Sequence, residues 1–153
     1  MPSPSTASSR SAETIQVGRQ AIFDRELKVF AYELLYRDAG GRCSFTDGDM
    51  ASSLTVLNAF MEIGLDRITG PYKAFINLTR PFFVDMPPIP FNPDRVVLEI
   101  LEDVNVDEEL LLGISGMAGH GFELAMDDYN FQPQLQPILP LVSYIKVEIQ
   151  PGG

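Results

Sequence analysis

Two glutamates, an asparagine, an aspartate pair and a lysine stand within or at the ends of five short apolar runs, and these are the residues that could do chemistry. The runs are YELLYR at 32–37, FINLT at 75–79, VVLEILED at 96–103, FELAMDD at 122–128 and YIKVEI at 144–149. In chain order they bring Glu33, Asn77, Glu99, Asp127 with Asp128, and Lys146. Each has an ordinary explanation when taken singly. A glutamate near a strand end is usually a solvated terminus, an acidic pair before a turn is routine turn chemistry, and a lone strand lysine guards an edge against aggregation. Five such strands in succession suggest a site instead. Parallel strands that alternate with helices bring their C-terminal ends to one face, where catalytic and metal-binding groups gather. Carboxylates clustered there answer to a divalent cation as readily as to solubility.

The elements that must position these groups follow from composition and pattern. The chain has 153 residues, 45% of them hydrophobic and 21% charged, which fits one soluble globular domain. A formal net charge of -10 argues against a nucleic-acid phosphate surface as partner. The single Cys43 excludes an internal disulfide and suits a reducing cytosol, so a cytoplasmic location is expected. No apolar stretch approaches the roughly 20 residues of a membrane-spanning helix. The opening MPSPSTASSRSAET has no apolar core for a signal peptide. Its Ser, Thr and Pro content predicts a disordered tail over 1–14, with the folded domain occupying 15–153.

Residues 16–37 read as two strands joined by a tight turn around Asp24 and Arg25. A helix is predicted over 49–63, closed by Gly64, with Leu54, Leu57, Phe60 and Met61 on one face. FINLT is a strand, followed by a segment around Phe82 and Phe83 and by a loop, MPPIPFNP, whose prolines exclude regular helix. The run 106–117 places Asp107, Glu108 and Glu109 before its leucines, as a helix with its dipole complemented would. FELAM is a strand, QPQLQPILP permits only short, irregular helix, and YIKVEI is the last strand. His120, between glycines, reads as a loop residue. The sequon Asn77-Leu78-Thr79 lies in an apolar strand and is discounted. This β-α-β rhythm predicts an α/β fold with a parallel sheet. Five units fall short of a closed barrel, which needs about 250 residues. The count fits a barrel cut after its fifth strand, or an open sheet.

These ordered motifs resemble the EAL family of cyclic-di-GMP phosphodiesterases over nearly all of 16–150. Within it they are most similar to the EAL modules that precede an HDOD domain in bacterial signalling proteins. GRQAIFDRELKVFAYELLYR resembles the first hairpin and signature strand, with Glu33, Leu34 and Leu35 at the three signature letters. FINLT resembles the Asn-bearing strand, LEILED the strand with two glutamates, the pair Asp127–Asp128 the aspartate pair, and IKVEI the Lys-x-Asp strand. Leu101 replaces the usual threonine and Glu148 the usual aspartate. YNFQPQ stands where Gly-Thr-Gly normally follows the aspartates.

The resemblance implies a TIM-barrel-like, truncated or partial EAL barrel with an N-terminal antiparallel strand. It implies Glu33, Asn77, Glu99, Asp127 and Asp128 at metal positions, Arg37 on a phosphate of cyclic-di-GMP, and Lys146 and Glu102 as catalytic groups. Glu102 reads equally as a charge at a helix N-terminus. The oxygen-rich set suits Mg²⁺ or Mn²⁺. In the family, further coordinating groups come from the sixth to eighth strands, and none follows Ile149 here. The expectation is therefore a degenerate, catalytically inactive cyclic-di-GMP signalling module. Two alternatives stay open: a phosphodiesterase completed by further chain or by a partner, and a pure protein-interaction scaffold. An unclosed sheet also predicts association, through a homodimer or a protein partner at the open edge, with no nucleic acid or membrane involved.

Overall fold

The computed structural model describes residues 16–37, 50–85, 89, 91–100, 105–127 and 133–147; at 16, 36–37, 50–56 and 127 it describes the backbone alone. Residues 1–14, where a tail is expected, together with Cys43, Glu102, Asp128, Glu148 and half of the proline-rich loop, fall outside these residues. Among the described residues no helix is long and apolar enough to cross a membrane.

The hairpin forms where the sequence places it. β1 (Gln16–Phe23) and β2 (Val29–Arg37) pair antiparallel, from Gln16 against Arg37 to Ile22 against Ala31. Asp24 closes the turn: its Oδ1 accepts from the backbone N–H groups of Glu26 and Lys28, at 2.8 and 3.0 Å. Leu27 sits in the left-handed region at φ 65°. The register then slips, because Phe23 faces Val29 while Ile22 faces Ala31. Phe30 is the extra residue of this bulge, and a bulge re-aims the side chain it carries.

Four parallel strands continue the sheet in sequence order: β3 (Lys73–Leu78), β4 (Val96–Ile100), β5 (Glu123–Asp127) and β6 (Tyr144–Lys146). The expected strands are thus all present, with ends moved by a few residues at most. Between them run α1 (Met50–Ile63), α2 (Leu65–Thr69), α3 (Arg80–Val84) and α4 (Glu108–Gly119). Two 3-10 helices, Pro93–Arg95 and Pro133–Leu141, complete the order. The second matches the irregular helix expected there, with Pro137 and Pro140 inside it. Gly64 ends α1 at φ 93°, and its N–H donates to the Phe60 carbonyl at 3.0 Å. Leu57 and Phe60 are buried as expected, but Met61 is 56% exposed. At 3.6 residues per turn it lies to one side of the stripe that Leu57 and Phe60 define. Asp107 caps α4 by accepting from Leu110 N–H at 2.8 Å. His120 lies exposed just beyond that helix, its Nδ1 2.7 Å from the Gly116 carbonyl.

Alternation along the strands divides the core in two. Ala74, Ile76, Leu78, Leu98, Ile100 and Met126 point outward into the main core, against Phe60, Phe82, Phe83, Ile114 and Leu135 of the surrounding helices. Gly113 lets α4 approach α3 closely; a Cβ there would lie 1.9 Å from the Phe83 carbonyl oxygen. The opposite parity gives a smaller inner cluster of Ala31, Phe75, Val97 and Ala125, flanked by Ile22 and Tyr144. Phe30 packs edge-on to Phe75 and to Tyr144, with ring centroids 6.4 and 5.4 Å apart. A residue on β2 therefore touches one on β6 across three intervening strands. The sheet is curled into a half-barrel, with this inner cluster on its concave face.

Candidate functional site

On the concave face the side-chain alternation that buries Phe75 and Val97 carries the polar residues one step further along each strand. Residues two apart in a strand share a face, so Asn77 follows Phe75, Glu99 follows Val97, Asp127 follows Ala125 and Lys146 follows Tyr144. Glu33 follows Ala31 and is the last β2 residue paired with β3. Asn77 is paired with Glu99, and Asp127 with Lys146, in the parallel register.

The curl then brings groups from four strands into contact. Lys146 Nζ lies 2.9 Å from Glu33 Oε2 and 3.0 Å from Glu99 Oε2. Asn77 Nδ2 donates to the same Glu33 oxygen at 2.8 Å. Glu99 is fully buried, and the Lys146 and Glu33 side chains are only 20% and 13% exposed. Burial alone would depress the Lys146 ammonium, but the charges of Glu99 and Glu33 outweigh it and hold the amine above its ordinary range. The donated bond fixes the Asn77 amide orientation. Its Oδ1 is buried and has no hydrogen-bond partner among the described residues.

Four of the eight residues singled out from sequence are thus brought together: Glu33, Asn77, Glu99 and Lys146. For Asp127 the backbone alone is described, at the end of β5 beside Lys146; for Arg37 it is the C-terminal end of β2. Glu102 and Asp128 lie outside the described residues. Two carboxylates and a buried amide oxygen with spare acceptor capacity suit a hard divalent ion. Among the described residues no three His, Cys, Asp or Glu side chains form a metal-binding group.

Two further polar groups belong to this end of β3. Thr79, two residues past Asn77, has a buried Oγ1 with no hydrogen-bond partner among the described residues. Arg80 pairs through Nη2 with Asp107, tying the end of β3 to the start of α4. Their place at the end of FINLT and straight after it was the available signal. At the other end of the concave face Lys73 pairs with Glu123, which also accepts from the Tyr144 hydroxyl at 3.1 Å. The bond to Glu123 raises the Lys73 amine; burial first, and then Glu123, raises the Tyr144 phenol. This trio closes the inner layer beneath the site.

No known family profile matches the chain. It is 39% identical over 134 residues to the uncharacterized protein YuxH of Bacillus subtilis, covering 86% of this chain and 33% of that protein. It is 27% identical over 142 residues to the cyclic di-GMP phosphodiesterase CdgJ of Vibrio cholerae, covering 92% of this chain and again 33% of the relative. The chain therefore spans about a third of the length of the curated relatives it matches. Among solved structures it resembles Bacillus subtilis YkuI, a protein with an EAL domain solved with cyclic-di-GMP and calcium. The TM-score is 0.64 at 22% identity, over 97% of this chain and 44% of that one. It also resembles Klebsiella pneumoniae BlrP1 in its manganese and cyclic-di-GMP complex, with TM-score 0.63 at 19% identity, over 88% of this chain and 40% of that one. The fold of the chain is thus similar to that of part of an EAL-type β/α barrel, and the chain is EAL-like.

Proposed function

We propose that the chain is a cytosolic cyclic-di-GMP signalling module of EAL type, residues 15–153 forming its EAL-like unit, and that it binds the dinucleotide with Mg²⁺ or Mn²⁺ without completing its hydrolysis alone. The observation that carries this reading is the convergence of Glu33, Asn77, Glu99 and Lys146 on the concave face. Glu33, Asn77 and Glu99, joined by Asp127 and Asp128, would hold the cation. Such an ion, when bound, supplies Lewis acidity toward a phosphodiester. Arg37, at the end of β2, would hold a phosphate by a charge-assisted pair, and Lys146 and Glu102 would orient water. The relatives named for, or crystallised with, cyclic-di-GMP support the ligand class. The sequence departures at Leu101 and at YNFQPQ after the aspartate pair support weak catalysis, because geometry and preorganisation supply most of the rate.

The β6 edge supports a protein partner, an HDOD domain or a second copy of the chain. Ile145 and Val147 are 47% and 71% exposed, on and just past the last strand among the described residues. Sedimentation velocity at micromolar concentration tests this, with association expected and a stable monomer counting against it. For the nucleotide, calorimetric titration and a turnover assay with Mn²⁺ are decisive. Binding without turnover, weakened in Glu99→Gln, is expected. Robust turnover that vanishes in Glu33→Ala would overturn the inactive reading, and absence of binding would leave an interaction scaffold.

A further inference from the structure

Lys146 Nζ stands within 3.0 Å of one oxygen from each of two buried or nearly buried glutamates. Those oxygens belong to the same carboxylates that would hold a divalent ion. The Glu33 oxygen is engaged twice, since Asn77 Nδ2 also donates to it. A divalent ion of the Mg²⁺ class needs ligand oxygens at about 2.0–2.1 Å, whereas the ammonium holds its two at hydrogen-bond length. Each carboxylate keeps a second oxygen, so a metal ion and the ammonium would meet on the same two groups as like charges a few ångströms apart.

We infer that Lys146 is a built-in counter-cation that competes with divalent metal for Glu33 and Glu99. This rests on the metal reading given above and goes beyond it. The ammonium stabilises the buried carboxylates in the metal-free protein, and metal loading adds a second positive charge beside it and draws electron density from the same two carboxylates. The site is thus held together without metal and tuned to weak occupancy. Lys146 acts here on metal affinity, whatever part it takes in orienting water.

The test is calorimetric titration of the metal-free chain with Mn²⁺, together with melting temperatures with and without the ion, for the native protein, Lys146→Met and Lys146→Arg. Methionine keeps the length of the side chain and removes the charge. It should bind Mn²⁺ at least about tenfold more tightly, with a larger rise in melting temperature on Mn²⁺ addition. Arginine keeps the charge and should stay close to the native affinity. If Lys146→Met is unfolded without metal, its folding at Mn²⁺ concentrations that leave the native protein unloaded is the same result in another form. Equal or weaker Mn²⁺ binding by Lys146→Met overturns the competition while leaving the metal site standing. Absence of Mn²⁺ binding in all three proteins overturns both.

Discussion

Replacing Lys146 by methionine and Glu99 by glutamine, singly and together, measures how much the buried pair contributes to the metal-free fold. The two charges are 3.0 Å apart, Glu99 has no solvent-accessible surface and Lys146 retains about a fifth of its own. At an effective dielectric near 20, Coulomb attraction at that distance is about 5–6 kcal/mol. Desolvation of both ions consumes much of this, so the pair as a whole adds little to stability relative to two neutral groups. Breaking it from one side is another matter. Removing one partner of a buried pair costs about 3–5 kcal/mol, because the charge left behind remains in the interior. Lys146→Met takes the cation from both glutamates and should therefore lose about 3 kcal/mol, whereas Glu99→Gln leaves Lys146 paired with Glu33 and should lose less. The double variant should lose clearly less than the sum, with a coupling of about 1–2 kcal/mol. Urea unfolding with chelator present, followed by circular dichroism, gives the four free energies. Unchanged slopes would show that the unfolded state is not itself altered. Additivity within about 0.5 kcal/mol would refute the reasoning, since independent sites behave that way.

Three further outcomes follow from particular contacts. Gly113→Ala should destabilise by about 1–3 kcal/mol despite the gain of about 1 kcal/mol in helix propensity, because its Cβ would meet the backbone carbonyl of Phe83; a rise in melting temperature would show that α3 and α4 separate freely. Phe30→Ala should cost about 1–2 kcal/mol through its edge-on contacts with Phe75 and Tyr144, and an unchanged urea midpoint would mean the bulge orients nothing that matters. The Asp107 carboxyl is held below its usual range, chiefly by the N–H of Leu110 and also by Arg80, against an opposing desolvation. A depressed carboxyl stabilises above its unfolded pKa and loses that contribution as pH falls through the folded one. The deficit of Asp107→Ala in thermal melts should therefore be largest near neutral pH and close on acidification, and a gap that persists unchanged into acid would contradict it.

Much of the fold was legible because its signals are local. VVLEI is an unbroken apolar run between a proline-rich loop and an acidic helix start, and it forms β4 over Val96–Ile100, fully buried. Asp107 before an acidic turn marks a helix start by the chemistry of one cap. The face shared by Asn77 and Phe75, and by Lys146 and Tyr144, follows from strand alternation alone. Three things were not legible. The bulge at Phe30 breaks that alternation, and a period-two reading has no place for an extra residue. The exposure of Met61 depends on where α1 meets the sheet. The ion pairs of Lys146 depend on how sharply the sheet curls, which no stretch of sequence specifies by itself. The sequence could place Glu33 and Lys146 on the same face, but only the curl places them at 2.9 Å.

The strand order has a bearing on how the molecule is made. Every strand pairs with its neighbour in sequence, so each unit can dock on the one synthesised just before it. The contacts Glu33–Lys146 and Phe30–Tyr144 are different, since each joins residues over a hundred positions apart. At ribosomal rates of about 5–20 residues per second, the signature strand waits on the order of ten seconds before its lysine emerges. A translation product that stops between β4 and β6 would carry both inner glutamates without that cation. Assembly of these contacts thus reports that the strands from β2 to β6 have all been made, and a chain interrupted among them is marked, on its own concave face, as unfinished.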